Sequence, residues 1–212
     1  MLALLHTSPV HVPVFDALRD ETHPDLALRH LVDEDLLTRA RSDGPEAVAA
    51  DVRALVEQAV ADGARAVLCT CSTIGGTAEA AAASAGVPVL RVDRPMAAAA
   101  VAAGPRIVVL AALESTLAPT AELIEGEARR GGRPAEVRLV LVEDAWPHFE
   151  SGDTDSYLRL IAAGADAVID ADAIVLAQAS MAPAQALTTT RVPVLSSPRL
   201  GLTAAAQAAS RV

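Results

Sequence analysis

Aromatic residues are scarce in this 212-residue chain, where phenylalanine, tyrosine and tryptophan together make up 2% of the sequence. Apolar residues nevertheless reach 52%, so the core must be built from alanine, valine, leucine and isoleucine. Such side chains suit parallel sheets covered by closely packed helices. The composition therefore favours an α/β fold, and the length allows one large domain or two small ones.

Basic residues are also few, with 17 Lys and Arg against 27 Asp and Glu and a net charge of −10. Phosphate-backbone binding needs clustered basic side chains, so nucleic acid is excluded as an expected partner. No stretch of about 18 residues is apolar enough to span a bilayer, and the N-terminus MLALLHTSPVHV lacks the basic start of a signal peptide. We expect a soluble, cytoplasmic protein without a membrane partner.

Cysteine occurs only twice, at Cys69 and Cys71 within CTCSTIGG. The five histidines show no ligand spacing around this pair, so we expect no metal site. A disulfide is disfavoured as well, since side chains two positions apart on a strand lie about 6.5–7 Å from each other. Each of these thiols is therefore expected either to pack in the core or to take part in catalysis. We expect no cofactor.

Eight short apolar runs alternate with longer helical patterns and predict eight strands. They are LALLH, LALRHLV, ARAVLCT, VPVLRV, RIVVLAA, EVRLVLV, DAIVLAQ and VPVL, which begin near residues 2, 26, 64, 87, 106, 136, 172 and 192. The intervening stretch at residues 45–64 has the apolar spacing and early proline of an amphipathic helix. Repeated strand–helix units predict parallel strands with right-handed crossovers.

The two halves of the chain also repeat each other. VPVL occurs at residues 87–90 and again at 192–195, and pairing Ala66 with Ala173 places Cys71 opposite Gln178. We predict two pseudo-symmetric lobes, each a parallel sheet of about four strands flanked by helices. The first lobe spans residues 1–95 and is rejoined by a helix at 198–212, and the second spans 96–197. Ligands of such sheets bind at the carboxyl ends of the strands, so we expect the active site in a cleft between the lobes.

Polar residues that follow the predicted strands are the site candidates, and they are His6, Thr7, Ser8, Cys71, Ser72, Thr73, Ser115, Thr116, Gln178 and Ser180. Cys69 lies inside its apolar run and reads as packing. Cys71 follows that strand and faces the start of a helix, where backbone N–H groups favour a thiolate. The same N–H groups, with the hydroxyls of Ser72 and Thr73, predict a site for a small carboxylate. The side chains of Arg91 and Arg94 are predicted to be exposed to solvent. The alternative is that they attract an acidic substrate.

The motif CST at a strand end, the duplication, and the segments HTSPVHVPVF, STLAPT and FESGD before DAIVLAQASMAP resemble the aspartate/glutamate/hydantoin racemase superfamily. The resemblance implies two α/β lobes with a small carboxylic acid between them, and no pyridoxal phosphate or metal. It also implies two cysteines on opposite faces of the substrate α-carbon. By resemblance Cys71 is the first of these, Ser72 and Thr73 bind the carboxylate, and Thr116 is a hydroxyl ligand. Related enzymes often form dimers, so a homodimer is one expectation.

The second half departs from this pattern, because Gln178 stands where the family has its second cysteine. An amide cannot exchange a proton at a useful pKa. Three readings follow. In the first, the chain is a racemase or epimerase with another second base, for which His6 is the candidate. In the second, it is a single-cysteine decarboxylase or isomerase in which Gln178 holds a carboxylate or oxyanion. In the third, it is a two-lobed protein that binds a carboxylate and catalyses no reaction.

Overall fold

The computed structural model describes residues 1–211 and divides the chain into two compact units. The first comprises Met1–Val92 and the C-terminal segment from Pro198, and the second comprises Asp93–Ser197. None of the helices in the described part of the chain is both long and apolar enough to cross a membrane.

The first unit alternates strands and helices along a four-stranded sheet. Its elements are β1 (Leu2–His6), α1 (His11–Thr22), β2 (Leu28–Val32), α2 (Asp35–Asp43), a 3₁₀ segment (Pro45–Val48), α3 (Ala49–Ala61), β3 (Ala66–Cys69), α4 (Ser72–Ala80), α5 (Ala82–Ala85) and β4 (Val89–Arg91), with α10 (Ser197–Arg211) returning at the end of the chain. The strand order is β2-β1-β3-β4, and every pairing is parallel.

The second unit has the same plan. Its elements are α6 (Arg94–Ala103), β5 (Arg106–Ala111), a 3₁₀ segment (Glu114–Thr116), α7 (Leu117–Arg130), β6 (Glu136–Leu141), α8 (Ala145–Glu150), α9 (Thr154–Asp166), β7 (Ala173–Leu176), a 3₁₀ segment (Ala179–Leu187) and β8 (Val194–Ser196). The strand order β6-β5-β7-β8 repeats that of the first unit, again with parallel pairings. The predicted α/β class with two four-stranded parallel sheets is confirmed, and all eight predicted strands form.

Burial explains why the inner strands are continuously apolar. Every residue of β1, β3 and β7 is buried, because helices cover both faces of each sheet. In β1, Leu2 and Leu4 pack on one face with Phe15, whereas Ala3 and Leu5 join the core of the opposite face. The edge strands β2 and β6 instead include exposed positions. The carboxyl edges of these buried sheets carry the candidate site residues.

Candidate functional site

Cys71 lies at the carboxyl edge of the first sheet, between β3 and α4. Its extended backbone, with φ −110° and ψ 120°, makes it the residue that precedes the first turn of α4. The Cys71 side chain is partly exposed, whereas Cys69 is fully buried in the core, as predicted for packing. Because β1 and β3 are paired up to Leu5 and Cys69, the segment that begins with Thr7 leaves the sheet beside Cys71.

The first turn of α4 carries the hydroxyls predicted to bind a carboxylate. Ser72 and Thr73 are both buried, and no side chain caps the N-terminus of the helix. The Thr73 hydroxyl is buried without a hydrogen-bond partner among the described residues. A buried hydroxyl without a partner costs free energy unless a ligand or water satisfies it. The hydroxyl and the N–H groups of this turn are therefore suited to an anion.

Gln178 occupies the equivalent place in the second unit. It follows β7 and precedes the 3₁₀ segment Ala179–Leu187, with φ −113° and ψ 140°. Its Oε1 accepts hydrogen bonds from the backbone N–H groups of Ala112, at 2.7 Å, and Leu113, at 3.1 Å. Since the amide oxygen is engaged, the NH₂ group of this buried side chain is what Gln178 can offer to a ligand.

The remaining hydroxyl candidates of the second unit differ in their bonding. The Thr116 hydroxyl donates to the carbonyl oxygen of Leu113 at 2.6 Å, and the Ser180 hydroxyl lies 2.8 Å from the Tyr157 hydroxyl. The Ser115 hydroxyl is buried without a partner among the described residues. Of these three hydroxyl groups, only that of Ser115 therefore has no hydrogen-bond partner among the described residues.

His6, the candidate second base, has both ring nitrogens in hydrogen bonds. Nδ1 lies 2.8 Å from the Thr70 hydroxyl and Nε2 lies 2.8 Å from Nδ1 of His30. Burial, followed by the charges of His30 and His11, lowers the pKa of His6 to about 3. His6 is therefore an uncharged imidazole at neutral pH and is poorly suited to deliver a proton to substrate. The hydroxyls of Thr7 and Ser8, buried and half-buried, lie in the segment that follows it.

The solvated interpretation of Arg91 is wrong, because its side chain is buried at the end of β4. Its Nη2 donates to the Ser72 carbonyl oxygen at 3.4 Å, and the guanidinium lies against Gly75 of α4. Arg94, by contrast, binds Glu127 and is partly exposed. Sequence reasoning missed Arg91 because the strand pattern VPVLRV places the arginine at a strand end, where exposure is the usual outcome.

Within residues 1–211, no group of three or more His, Cys, Asp or Glu side chains is arranged to hold a metal ion. The candidate groups are instead a thiol, hydroxyls and helix N–H groups at the carboxyl edge of the first sheet, and an amide and hydroxyls at the carboxyl edge of the second. The cleft that was expected to join them stays a prediction.

A model of the Asp/Glu/Hydantoin racemase family matches residues 11–205 of this chain. No curated protein matches the sequence.

Among solved structures, Picrophilus torridus aspartate racemase is 14% identical, with a TM-score of 0.72 and coverage of 99% of this chain and 94% of that one. The glutamate racemase of Thermus thermophilus, in complex with beta-chloro-D-alanine, is 24% identical, with a TM-score of 0.67 and coverage of 99% and 80%. A glycine-to-cysteine variant of arylmalonate decarboxylase is 19% identical, with a TM-score of 0.65 and coverage of 99% and 93%. At these identities the likeness shows the fold alone.

Proposed function

Since this chain belongs to the Asp/Glu/hydantoin racemase family, we propose that it transfers a proton at the carbon next to the carboxylate of a small acid, with Cys71 as the acid/base. The observation that carries the proposal is the equivalence of Cys71 and Gln178. Each residue follows the third strand of its unit in an extended conformation and precedes a helical segment. One position carries a thiol and the other an amide, so the two units contribute different chemistry.

The proposed proton transfer uses one thiol. The Cys71 thiolate takes the α-proton of the substrate, and the electron pair left on carbon spreads into the carboxylate as an enolate. The thiol then returns a proton to the same carbon. The Thr73 hydroxyl and the N–H groups of the first turn of α4 bind the carboxylate, where negative charge increases in the transition state. No cofactor enters this scheme.

Gln178 acts in the proposal as a fixed hydrogen-bond donor. Two backbone N–H groups hold its oxygen, so its NH₂ group has a defined direction and can bind a carboxylate or an enolate oxygen without reorganising. It cannot supply a proton, and His6 is bound on both ring nitrogens. Neither Gln178 nor His6 is therefore suited to be the second base of an inversion, which favours exchange with retained configuration.

Decarboxylation is the second candidate function, and the absence of a thiol at Gln178 supports it. After loss of carbon dioxide from a substituted malonate, the resulting enolate needs a single proton, which Cys71 alone can give. A structure with this fold bears the name of arylmalonate decarboxylase, so malonates belong in the substrate panel.

The test is proton NMR in heavy water with amino acids, hydantoins, hydroxy acids and substituted malonates. Loss of the α-proton signal, inversion and loss of carbon dioxide are followed separately. We expect deuterium entry or decarboxylation with the wild type and with Cys69→Ala, and neither with Cys71→Ala. Undiminished turnover by Cys71→Ala would contradict the proposal that Cys71 is the acid/base.

A Gln178→Cys variant tests whether Cys71 and Gln178 act on the same carbon. A second thiol should create or increase inversion of a substrate that the wild type exchanges with retention. If this variant folds and exchanges the α-proton but never inverts the substrate, the two positions do not face one carbon. Binding of the panel without any exchange would favour a carboxylate-binding protein.

A further inference from the structure

Four side chains of the first unit form a continuous row of hydrogen bonds from the protein surface to the residue before Cys71. Asp16 on α1 lies 3.2 Å from Nε2 of His30, and His30 Nδ1 lies 2.8 Å from Nε2 of His6. His6 Nδ1 lies 2.8 Å from the Thr70 hydroxyl. The outer end is half-exposed at Asp16, whereas His6 and Thr70 are buried.

Proton counting gives one consistent arrangement when both imidazoles are neutral. The Thr70 hydroxyl donates to Nδ1 of His6, whose Nε2–H donates to Nδ1 of His30. The Nε2–H of His30 then donates to the Asp16 carboxylate. Every donor in this arrangement points outward, and each polar group of the row has a partner.

A second arrangement holds one more proton. If His30 carries protons on both nitrogens, its Nδ1–H must donate inward, so Nε2 of His6 has to accept. His6 then carries its proton on Nδ1 and donates to the Thr70 oxygen. The Thr70 hydroxyl proton needs another acceptor, and the carbonyl oxygen of Leu5 lies 3.1 Å away. The extra charge on His30 faces the Asp16 carboxylate.

The surroundings prevent a third arrangement in which both imidazoles are charged. The centroids of the His30 and His6 rings lie 5.1 Å apart with 18° between the ring planes, and the His11 centroid lies 6.3 Å from that of His6. Phe15 packs against His6 from α1, and burial with the neighbouring charges lowers the pKa of His6 to about 3. Arg19 adds a positive charge at the outer end, where its Nη2 lies 3.6 Å from Asp16 and its Nε lies 2.7 Å from Asp20. The row therefore accepts a single proton above about pH 3.

We propose that Asp16, His30 and His6 form a proton-dependent switch, in which one added proton reverses the hydrogen-bond direction and turns the Thr70 hydroxyl from His6 to Leu5. Thr70 directly precedes Cys71, and His6 directly precedes Thr7, so the inner end of the row ties together the two segments that leave β1 and β3. His6 and His30 are thereby positioning residues for these segments. Only this positioning role rests on the proposed function, because the switch itself is a property of the folded chain.

The decisive experiment is a nitrogen-15 NMR titration of the histidine side chains in the intact protein. As the pH falls, the row should gain one proton while His6 stays uncharged and the His6 proton moves from Nε2 to Nδ1 in the same transition. A His6 ring that keeps one tautomer throughout, or that takes up the proton itself, would overturn the proposal.

Asp16→Asn and Asp20→Asn form a matched pair of surface variants on α1. Removing the Asp16 charge destabilises the protonated row, so the coupled His6 and His30 transition should move to lower pH. Asp20 binds Arg19 but does not contact the row, so its variant should leave the transition in place. Equal shifts in both variants would contradict a specific role for Asp16.

Activity gives a separate readout. If the proposed function holds, Asp16→Asn should shift the acid limb of the pH profile of kcat/KM in step with the NMR transition. A switch seen by NMR with an unmoved activity profile would overturn the positioning role. A protein without any turnover on the substrate panel would count against the proposed function, while the tautomer titration still decides the switch.

Discussion

The guanidinium of Arg91 fills the space in which a side chain of residue 75 would begin. A Cβ atom built on Gly75 would stand 2.9 Å from Nε of Arg91 and 3.1 Å from its Cβ. The Cβ of Arg91 is fixed by its own strand, so the two cannot simply move apart. The first glycine of the pair in CTCSTIGG is therefore a packing requirement of the helix that starts at the candidate site.

Gly75→Ala should lower the free energy of unfolding by about 1–3 kcal/mol through overpacking against Arg91. Gly76→Ala is the matched control, because its Cβ would stand 3.8 Å from the nearest Arg91 atom. Alanine is favoured over glycine in a helix by about 0.5–1 kcal/mol, so this variant should be slightly more stable than the wild type. Urea denaturation of both variants measures the difference, and equal stabilities would contradict the close contact.

Gln178→Leu and Gln178→Glu separate the structural role of Gln178 from its ligand-binding role. Leucine leaves the buried N–H groups of Ala112 and Leu113 without an acceptor and should cost about 1–3 kcal/mol of stability for each. Glutamate can accept both hydrogen bonds, so it should keep most of the stability. It lacks the NH₂ donors, however, and should raise KM for a carboxylate substrate. A Gln178→Glu variant with unchanged KM would place the substrate elsewhere.

Stability should fall in mild acid because the partly buried His11 is held as a neutral imidazole. Burial lowers its pKa from 6.5 to about 4. The unfolded chain binds the proton near pH 6.5 and the folded protein only near pH 4, so stability is full above pH 6.5 and declines toward pH 4. This group should cost about 2 kcal/mol between pH 7 and pH 5. Thermal unfolding of His11→Gln should show a smaller decline over that range, and a slope equal to that of the wild type would contradict the prediction.

Ser180 should matter for stability more than for substrate binding, because its hydroxyl is hydrogen-bonded to Tyr157. Tyr157 is almost fully buried, and this burial raises the pKa of its hydroxyl to about 12. Ser180→Ala leaves that hydroxyl without a partner and should cost about 1–3 kcal/mol, with KM unchanged. Tyr157→Phe removes the hydroxyl itself and should cost about 0.5–1.5 kcal/mol. An increased KM in Ser180→Ala alone would instead make Ser180 a substrate ligand.

The sequence predicted the framework correctly because strands that are buried on both faces must be continuously apolar. RIVVLAA and DAIVLAQ became β5 and β7, and the repeated VPVL marks the fourth strand of each unit. The alignment that paired Ala66 with Ala173 also placed Cys71 opposite Gln178, and both residues follow the third strand of their unit. These are local features, since chain direction and strand length fix which residues emerge at a carboxyl edge.

Only the tertiary structure decided the partners of the polar side chains. His6 meets His30 across two strands, Arg91 is buried against Gly75, and the Gln178 oxygen binds N–H groups about 65 residues earlier in the chain. Composition and periodicity do not predict such pairings, because neighbouring strands bring together residues that are distant in the sequence. The sequence by itself thus determined the two repeated α/β units and the location of Cys71, whereas packing determined which of the surrounding groups are left to bind a ligand.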